Sequence, residues 1–311
     1  MKDFQSYSPE SAIEENLRES ALRAEMISEQ ELSHLRELAE EITADCTERP
    51  DWIASLPDNG LRAYGQQSAP LRQNADSLLG FSPLRRVWQS VCLCKEIKKV
   101  LADKELLTPQ FFFSEVLDGI PATTCRIAYQ RNSYSDSAYL QFSKILQDPR
   151  VSYSQSFLTA CEDVYNDICD YCILPVENTA EGQLNSFSRL IERYDLKIAA
   201  TCEVTTGSGN AHTTRFALLA RRLTTALQNG KETFFEFALP PGGTPSEAML
   251  LTAAELCGLQ LYRLNSLPSA ESHRYSTHFL FRTKNADLES FLLYLAMEAP
   301  HYDMIGIYSH L

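Results

Sequence analysis

Tyr171-Cys172-Ile173-Leu174-Pro175-Val176-Glu177-Asn178-Thr179-Ala180-Glu181-Gly182 is the stretch on which the architecture turns. Its first half is continuously apolar, as expected of a strand buried on both faces in a parallel sheet. The second half is a polar loop. A helix is expected over 184–194 and another strand over 197–204, because apolar periodicity switches from 3.6 to 2 between them. Upstream, 126–129 reads as a strand, and 135–146 and 157–168 read as helices. Strand and helix alternate, so this part of the chain is α/β. From position alone, Glu177 and Glu181 are equally well read as acids capping the helix that begins at Leu184.

Outward toward the C-terminus, strands are expected over 233–239, 259–264, 277–282 and 304–308. Thr244-Pro245-Ser246-Glu247 is a capping-box pattern opening a helix that stops at Gly258. Asn285 is expected to cap a second helix carrying Leu288, Phe291, Leu292 and Leu295, ended by Pro300. The order βαββαβ is the ferredoxin-like plan. Toward the N-terminus the chain reads as helix. Ser8-Pro9 and the capping box Ser28-Glu29-Gln30-Glu31 open two helices, the second with Leu32, Leu35, Leu38, Ala39 and Ile42 on one face. Residues 56–80 read as loop. Ser82-Pro83 opens a third helix, with Leu84, Val87, Val91, Cys94, Ile97 and Leu101 as its apolar stripe. The fold class is therefore α+β and multidomain, divided as 1–115, 124–223 and 231–311.

The chain has 311 residues, a formal charge of −13 and 44 % hydrophobic residues. That composition is globular, and the length suffices for two or three cores. Residues 1–50 hold thirteen acidic and five basic side chains, a net of −8. An acidic chain with no basic stripe argues against nucleic acid and anionic membranes as partners. No apolar run approaches the roughly 18 residues of a membrane span. The opening Met1-Lys2-Asp3-Phe4-Gln5 has no apolar signal core, so a cytoplasmic protein is expected. Nine cysteines read as reduced thiols, and six scattered histidines give no ligand spacing, so no metal site is expected.

Ile173 to Gly182 resembles the "PIENS-x-EG" signature of prephenate dehydratases. Arg126-Ile127-Ala128-Tyr129-Gln130 and Tyr134-Ser135-Asp136-Ser137-Ala138-Tyr139 resemble the strand and helix that open that domain. Thr214-Arg215-Phe216 is similar to the family's catalytic Thr-Arg-Phe. Residues 231–311 resemble the ACT regulatory domain of these enzymes, down to Ile305-Gly306-Ile307-Tyr308-Ser309. The resemblance implies elimination of water and carbon dioxide from prephenate, giving phenylpyruvate, with no cofactor. It implies a periplasmic-binding-protein-like dehydratase fold and a cytoplasmic homodimer acting in phenylalanine biosynthesis. It makes Thr214 the proton donor or its orienter, with Arg215 and Phe216 shaping the site. Asn178, Thr179 and Ser133 would bind prephenate or a related small carboxylate, and Glu177 and Glu181 would hold the loop. Gly242, Gly243, Thr244, Asn265 and Ser266 would take phenylalanine as effector. The helical front stands where relatives carry chorismate mutase, with Arg36 and Arg49 the weak matches to its first helix, and is read as a remnant of it.

The departures matter as much. The family's opening loop is glycine-rich, whereas here it is Gln130-Arg131-Asn132-Ser133-Tyr134-Ser135. Non-glycine residues rarely adopt the positive φ that a backbone anion cradle needs. The family's chain crosses into a second lobe before returning at Thr-Arg-Phe, which takes roughly 60 residues even for two βαβ units. Here only residues 205–212 intervene, with turn composition at Gly207-Ser208-Gly209-Asn210. A single lobe is therefore expected. The expected function is that of a catalytically impaired relative with a regulatory or binding role, with an active dehydratase as the alternative.

Overall fold

The computed structural model describes residues 29–44, 46, 83–113, 116–117, 124–206, 212–224, 232–240, 245–268 and 275–311. The front consists of a helix over 29–42 (α1), α2 (Pro83–Asp103) and the short α3 (Pro109–Phe112). The middle runs β1 (Val116–Leu117), β2 (Arg126–Gln130), α4 (Ser133–Phe142), β3 (Arg150–Ser154), α5 (Phe157–Tyr165), β4 (Tyr171–Asn178) and β5 (Gly182–Gln183). It continues through α6 (Asn185–Arg193), β6 (Lys197–Thr206), β7 (His212–Ala220) and β8 (Leu223–Thr224). The last part is β9 (Glu232–Leu239), α7 (Glu247–Leu256), β10 (Gln260–Pro268), β11 (Tyr275–Arg282), α8 (Leu288–Glu298) and β12 (Asp303–His310).

One mixed sheet runs β10-β11-β9-β12-β6-β7-β4-β2-β3, with β5 attached to β4. Its α/β half has β2 parallel to β3 and β4, while β7 lies antiparallel between β4 and β6. The run at Tyr171 is thus buried as expected, but with a parallel neighbour on one side only. The other half has the expected βαββαβ order and is antiparallel throughout. Strand β3 carries no period-2 signal and had no counterpart in the sequence reading; its edge position asks for none.

The two halves join where β12 runs parallel to β6, with Ser309 opposite Ala200 and His310 opposite Thr201. Gly306 makes that approach possible, because a Cβ there would stand 2.6 Å from the Ile198 carbonyl oxygen. The ferredoxin-like half therefore has one outer strand, β12, already paired within the chain.

Burial follows the strand alternation. Phe235, Phe237, Phe279 and Phe281 point to one face, under α7 and α8, where Phe291 and Tyr294 complete an aromatic core. The helical front packs on this same face. Leu35, Leu38, Val87, Val91, Ile97 and Leu101 join that core, and Lys98 pairs with Asp287 at 2.6 Å. Phe234, Ala238 and Leu280 point to the opposite face, against α5, α6 and β4. A third core lies between the sheet and α4.

Three caps differ from expectation. Ser246, not Thr244, caps α7 by accepting from the Met249 amide. Asp287, not Asn285, caps α8 through the Ser290 amide, while Asn285 takes positive φ in the turn before it. Helix α6 begins at Leu184 with no side-chain cap, so neither Glu177 nor Glu181 serves that role. Ser8-Pro9, Ser28, Ser82, Arg49 and the loop over 56–80 lie outside the described residues.

Candidate functional site

Strands β4, β7 and β6 carry most of the residues singled out by sequence. Asn178 stands opposite Thr214, and Glu177 opposite Arg215. Across the other edge, Val204 stands opposite Thr214 and Glu203 opposite Arg215. The pleat sends Thr214 and Phe216 to one face and Arg215 to the other. Phe216 is buried in the core under α4.

On the α4 face the polar groups are largely spent on local structure. Asn132 caps α4, its side-chain oxygen accepting from the Tyr134 and Ser135 amides at 3.0 and 2.9 Å. Those are the amides an anion would otherwise meet at this helix start. No residue from 130 to 135 takes positive φ. Ser133 is exposed, and its carbonyl accepts from the Ser137 hydroxyl at 2.8 Å. Arg131 lies over the Tyr153 ring, 5.0 Å from its centroid. The Asn178 side-chain oxygen accepts from the Ala180 amide at 3.0 Å and the Glu181 amide at 2.5 Å, closing the turn after β4. The Thr179 hydroxyl accepts from the Thr213 amide at 3.2 Å. Glu181 is exposed. The Thr214 hydroxyl has no hydrogen-bond partner among the described residues.

The opposite face holds a charged cluster. Arg215 donates through Nη1 to Glu177 at 3.2 Å and through Nη2 to Glu203 at 3.0 Å and the Tyr262 hydroxyl at 3.1 Å. Arg263 donates to the same Glu177 carboxylate at 2.6 Å. Burial works against the Arg215 charge, but its bonds to Tyr262 and Glu203 and the field of Glu177 outweigh it and raise its pKa. Asn265 bonds the Gln183 side chain. Tyr262, Arg263 and Asn265 all belong to β10, six places from β4 in strand order. They reach Arg215, Glu177 and Gln183 respectively only because the sheet curls, and α6, which touches both β4 and β10, sits at the closing side.

The curl encloses a cavity of about 210 Å³. Ile191, Ile198, Leu239, Met304 and Ile305 form its apolar wall, and Arg215, Arg263, Glu236, His278 and Tyr308 bring polar groups to it. Glu236 is only 6 % exposed and accepts a 2.6 Å bond from the Tyr308 hydroxyl. Burial raises the Tyr308 pKa, reinforced by Glu236, so the phenol keeps its proton. Burial lowers the pKa of His278, whose Nε2 lies 3.2 Å from the Ser276 hydroxyl.

The sequence-predicted residues thus divide. Thr214, Asn178 and Thr179 come together at one end of β4 and β7, whereas Arg215 lines the cavity, with Glu177 paired to it and Asn265 bonded to the lining residue Gln183. Ser266 is exposed on β10, and Gly242, Gly243 and Thr244 lie outside the described residues. The sequence reading missed Glu236, Arg263 and Tyr308. A detectable signal existed for the first: Phe234-Phe235-Glu236-Phe237 places one carboxylate inside an apolar strand. Among the described residues no group of three His, Cys, Asp or Glu side chains could hold a metal, and no helix is long and apolar enough to cross a membrane.

Comparison with known proteins locates the chain. The family model "Prephenate dehydratase" matches residues 127–209. No curated protein matches. Among solved structures, prephenate dehydratase from Streptococcus mutans is similar at 21 % identity and TM-score 0.49, over 60 % of this chain and 98 % of its own. GqqA, described as a novel type of quorum-quenching acylase, is similar at 20 % identity and TM-score 0.42, over 59 % and 94 %. The prephenate dehydratase of Arthrobacter aurescens in complex with L-Phe is similar at 14 % identity and TM-score 0.47, over 60 % and 90 %.

Proposed function

Residues 127–209 belong to the prephenate dehydratase family, and we propose that the chain is a member that has lost catalysis and kept a binding or regulatory role. In this reading 1–115 is a helical scaffold, 124–223 a one-lobed dehydratase-like domain and 231–311 an ACT-like domain, in a cytoplasmic protein of phenylalanine biosynthesis. Its ligands are prephenate or a related small carboxylate, and phenylalanine at the ACT-like part. It forms a homodimer through β10, because β12 is taken up by β6.

The observation that carries the reading is the pairing of β6 with β7 along their whole length, from Lys197 opposite Ala220 to Thr206 opposite His212. Only residues 207–211 connect them. A second lobe has no room there, and a site with one wall neither orients prephenate nor removes it from water. Orientation in a complete site is worth roughly 7–11 kcal/mol of barrier. The amides captured by Asn132 add to the deficit on the substrate-facing side.

The second reading, an active dehydratase, draws on the Thr214 hydroxyl, which is unengaged and placed across from Asn178. One assay decides between them. The purified full chain is incubated with prephenate at neutral pH, and phenylpyruvate is read by absorbance in alkali, with Thr214→Ala alongside. We expect both proteins to match the spontaneous rate. Turnover by the parent that Thr214→Ala abolishes would establish the active reading instead.

A further inference from the structure

We infer that the cavity enclosed by the curled sheet is a binding site for a small zwitterion with an apolar body, its ammonium held by Glu236 and its carboxylate by Arg215 and Arg263. Unmet bonding capacity of both signs meets in one partly enclosed space. The Glu236 carboxylate is 6 % exposed, and its sole partner among the described residues is the Tyr308 hydroxyl. No described cation stands within ion-pairing distance of it. A buried carboxylate in that state calls for a charged donor. His278 does not supply one: burial favours its neutral form, and its Nε2 is occupied by Ser276.

The opposite deficit lies on the arginines. Arg215 Nε is buried and has no hydrogen-bond partner. Arg263 uses Nη1 on Glu177, and no other bond of its guanidinium to a described residue is present. A guanidinium with donors to spare is suited to a carboxylate. Both arginines and Glu236 line the same cavity. A monoanion would satisfy the arginines and be repelled by Glu236, and a simple amine would do the reverse. A molecule carrying an ammonium and a carboxylate on one carbon satisfies the two ends together. Among the other lining residues Lys197 is paired with Asp195 and Asp303, while Ile191, Ile198, Leu239 and Met304 offer an apolar body its contacts, and about 210 Å³ suits the size of a single amino acid. The site lies between the two halves of one chain, on the face of β9 and β10 opposite α7 and α8; of the residues expected to take an effector, Asn265 borders it through Gln183 and Ser266 is not among its lining. Occupation would therefore tie β9 and β10 to β7 within a protomer.

The test is isothermal titration of the full chain with L-leucine and L-phenylalanine, against phenethylamine and phenylacetate, which each keep one charge. We expect an amino acid to bind at least tenfold more tightly than either single-charge analogue. Glu236→Gln, which retains an acceptor for Tyr308, should weaken binding at least tenfold. Ser188→Trp, filling the cavity from α6, should do the same and serves if the first variant misfolds. Ser266→Trp reports on the effector positions expected from sequence, and Leu140→Trp, on the exposed side of α4, should leave binding intact. The inference is overturned if neither amino acid binds at millimolar concentration, if phenylacetate or phenethylamine binds equally well, or if Ser266→Trp removes binding that Glu236→Gln leaves. None of these outcomes bears on the prephenate assay, so the two readings fail separately.

Discussion

The two faces of β4, β7 and β6 are built from adjacent residues and have diverged in use. On the α4 face, Asn178, Thr179 and Asn132 spend their polar atoms on turns and a cap. On the other face, Glu177, Glu203 and Arg215 form an ion cluster that β10 completes from the far side of the curled sheet. The residues singled out in the sequence therefore lie on both faces, but only one face meets partners from the C-terminal half. Adjacent residues of one strand can thus hold a turn on one face and a seam on the other.

The comparison depends on the seam that lets β10 arrive, and breaking that seam gives the largest effect. Gly306→Val would place a Cβ 2.6 Å from the Ile198 carbonyl oxygen, a backbone atom that cannot rotate away. Overpacking of this kind costs about 1–3 kcal/mol, and we expect the upper end. Urea denaturation should show a lower midpoint. A parent-like midpoint would mean that β12 and β6 are not held together as described.

Substituting one residue from each face sharpens the contrast. Arg215→Ala removes the cation shared by Glu177 and Glu203, whose side chains are 30 % and 43 % exposed. Solvent screening discounts a pair this open, so the loss should be about 1–2 kcal/mol rather than that of a fully buried pair. Thr214→Ala removes a hydroxyl with no partner and should change stability by less than about 0.5 kcal/mol. Equal effects at the two positions, read from denaturant midpoints, would erase the distinction between the faces.

How much of this was legible in sequence follows from the range of the interactions. The alternation of strands and helices, the βαββαβ order and the Phe235–Phe237 core are set by local periodicity, and could be read residue by residue. So could the antiparallel return of β7, since residues 205–212 allow little else. The cavity could not. Arg263 with Glu177 and Tyr308 with Glu236 join residues far apart in the chain, and nothing local foretells that the sheet curls. Caps were misplaced by a residue or two, at Thr244 and Asn285, because Ser, Thr, Asn and Asp compete for the same position. The described helices of the front, α1 and α2, were readable as helix, but not their place: they pack on the core under α7 and α8.

The smallest expected effect is a pH dependence that belongs to one face only. Thr214, Asn178 and Thr179 do not titrate, whereas the cavity side carries His278 and, beside Thr201, His310. Burial lowers the pKa of both histidines. At His278 the fields of Glu236 and Glu192 oppose the shift and Arg263 adds to it. At His310 Arg215 adds to it, and Glu203 and Glu232 oppose it. A histidine whose folded pKa lies below its unfolded value of about 6.5 binds a proton more readily when unfolded. Its contribution to stability is thus whole above that pH and is lost as pH falls through the folded value. Asp303, whose carboxyl is raised by burial, acts in the opposite sense and from the carboxylate end of the scale. Denaturant midpoints should therefore fall between pH 7 and pH 5, and the fall should shrink in His278→Gln and again when His310→Gln is added. A parent whose midpoint is flat over that range, or a double variant that keeps the whole slope, would show that His278 and His310 do not make the cavity side sensitive to protons.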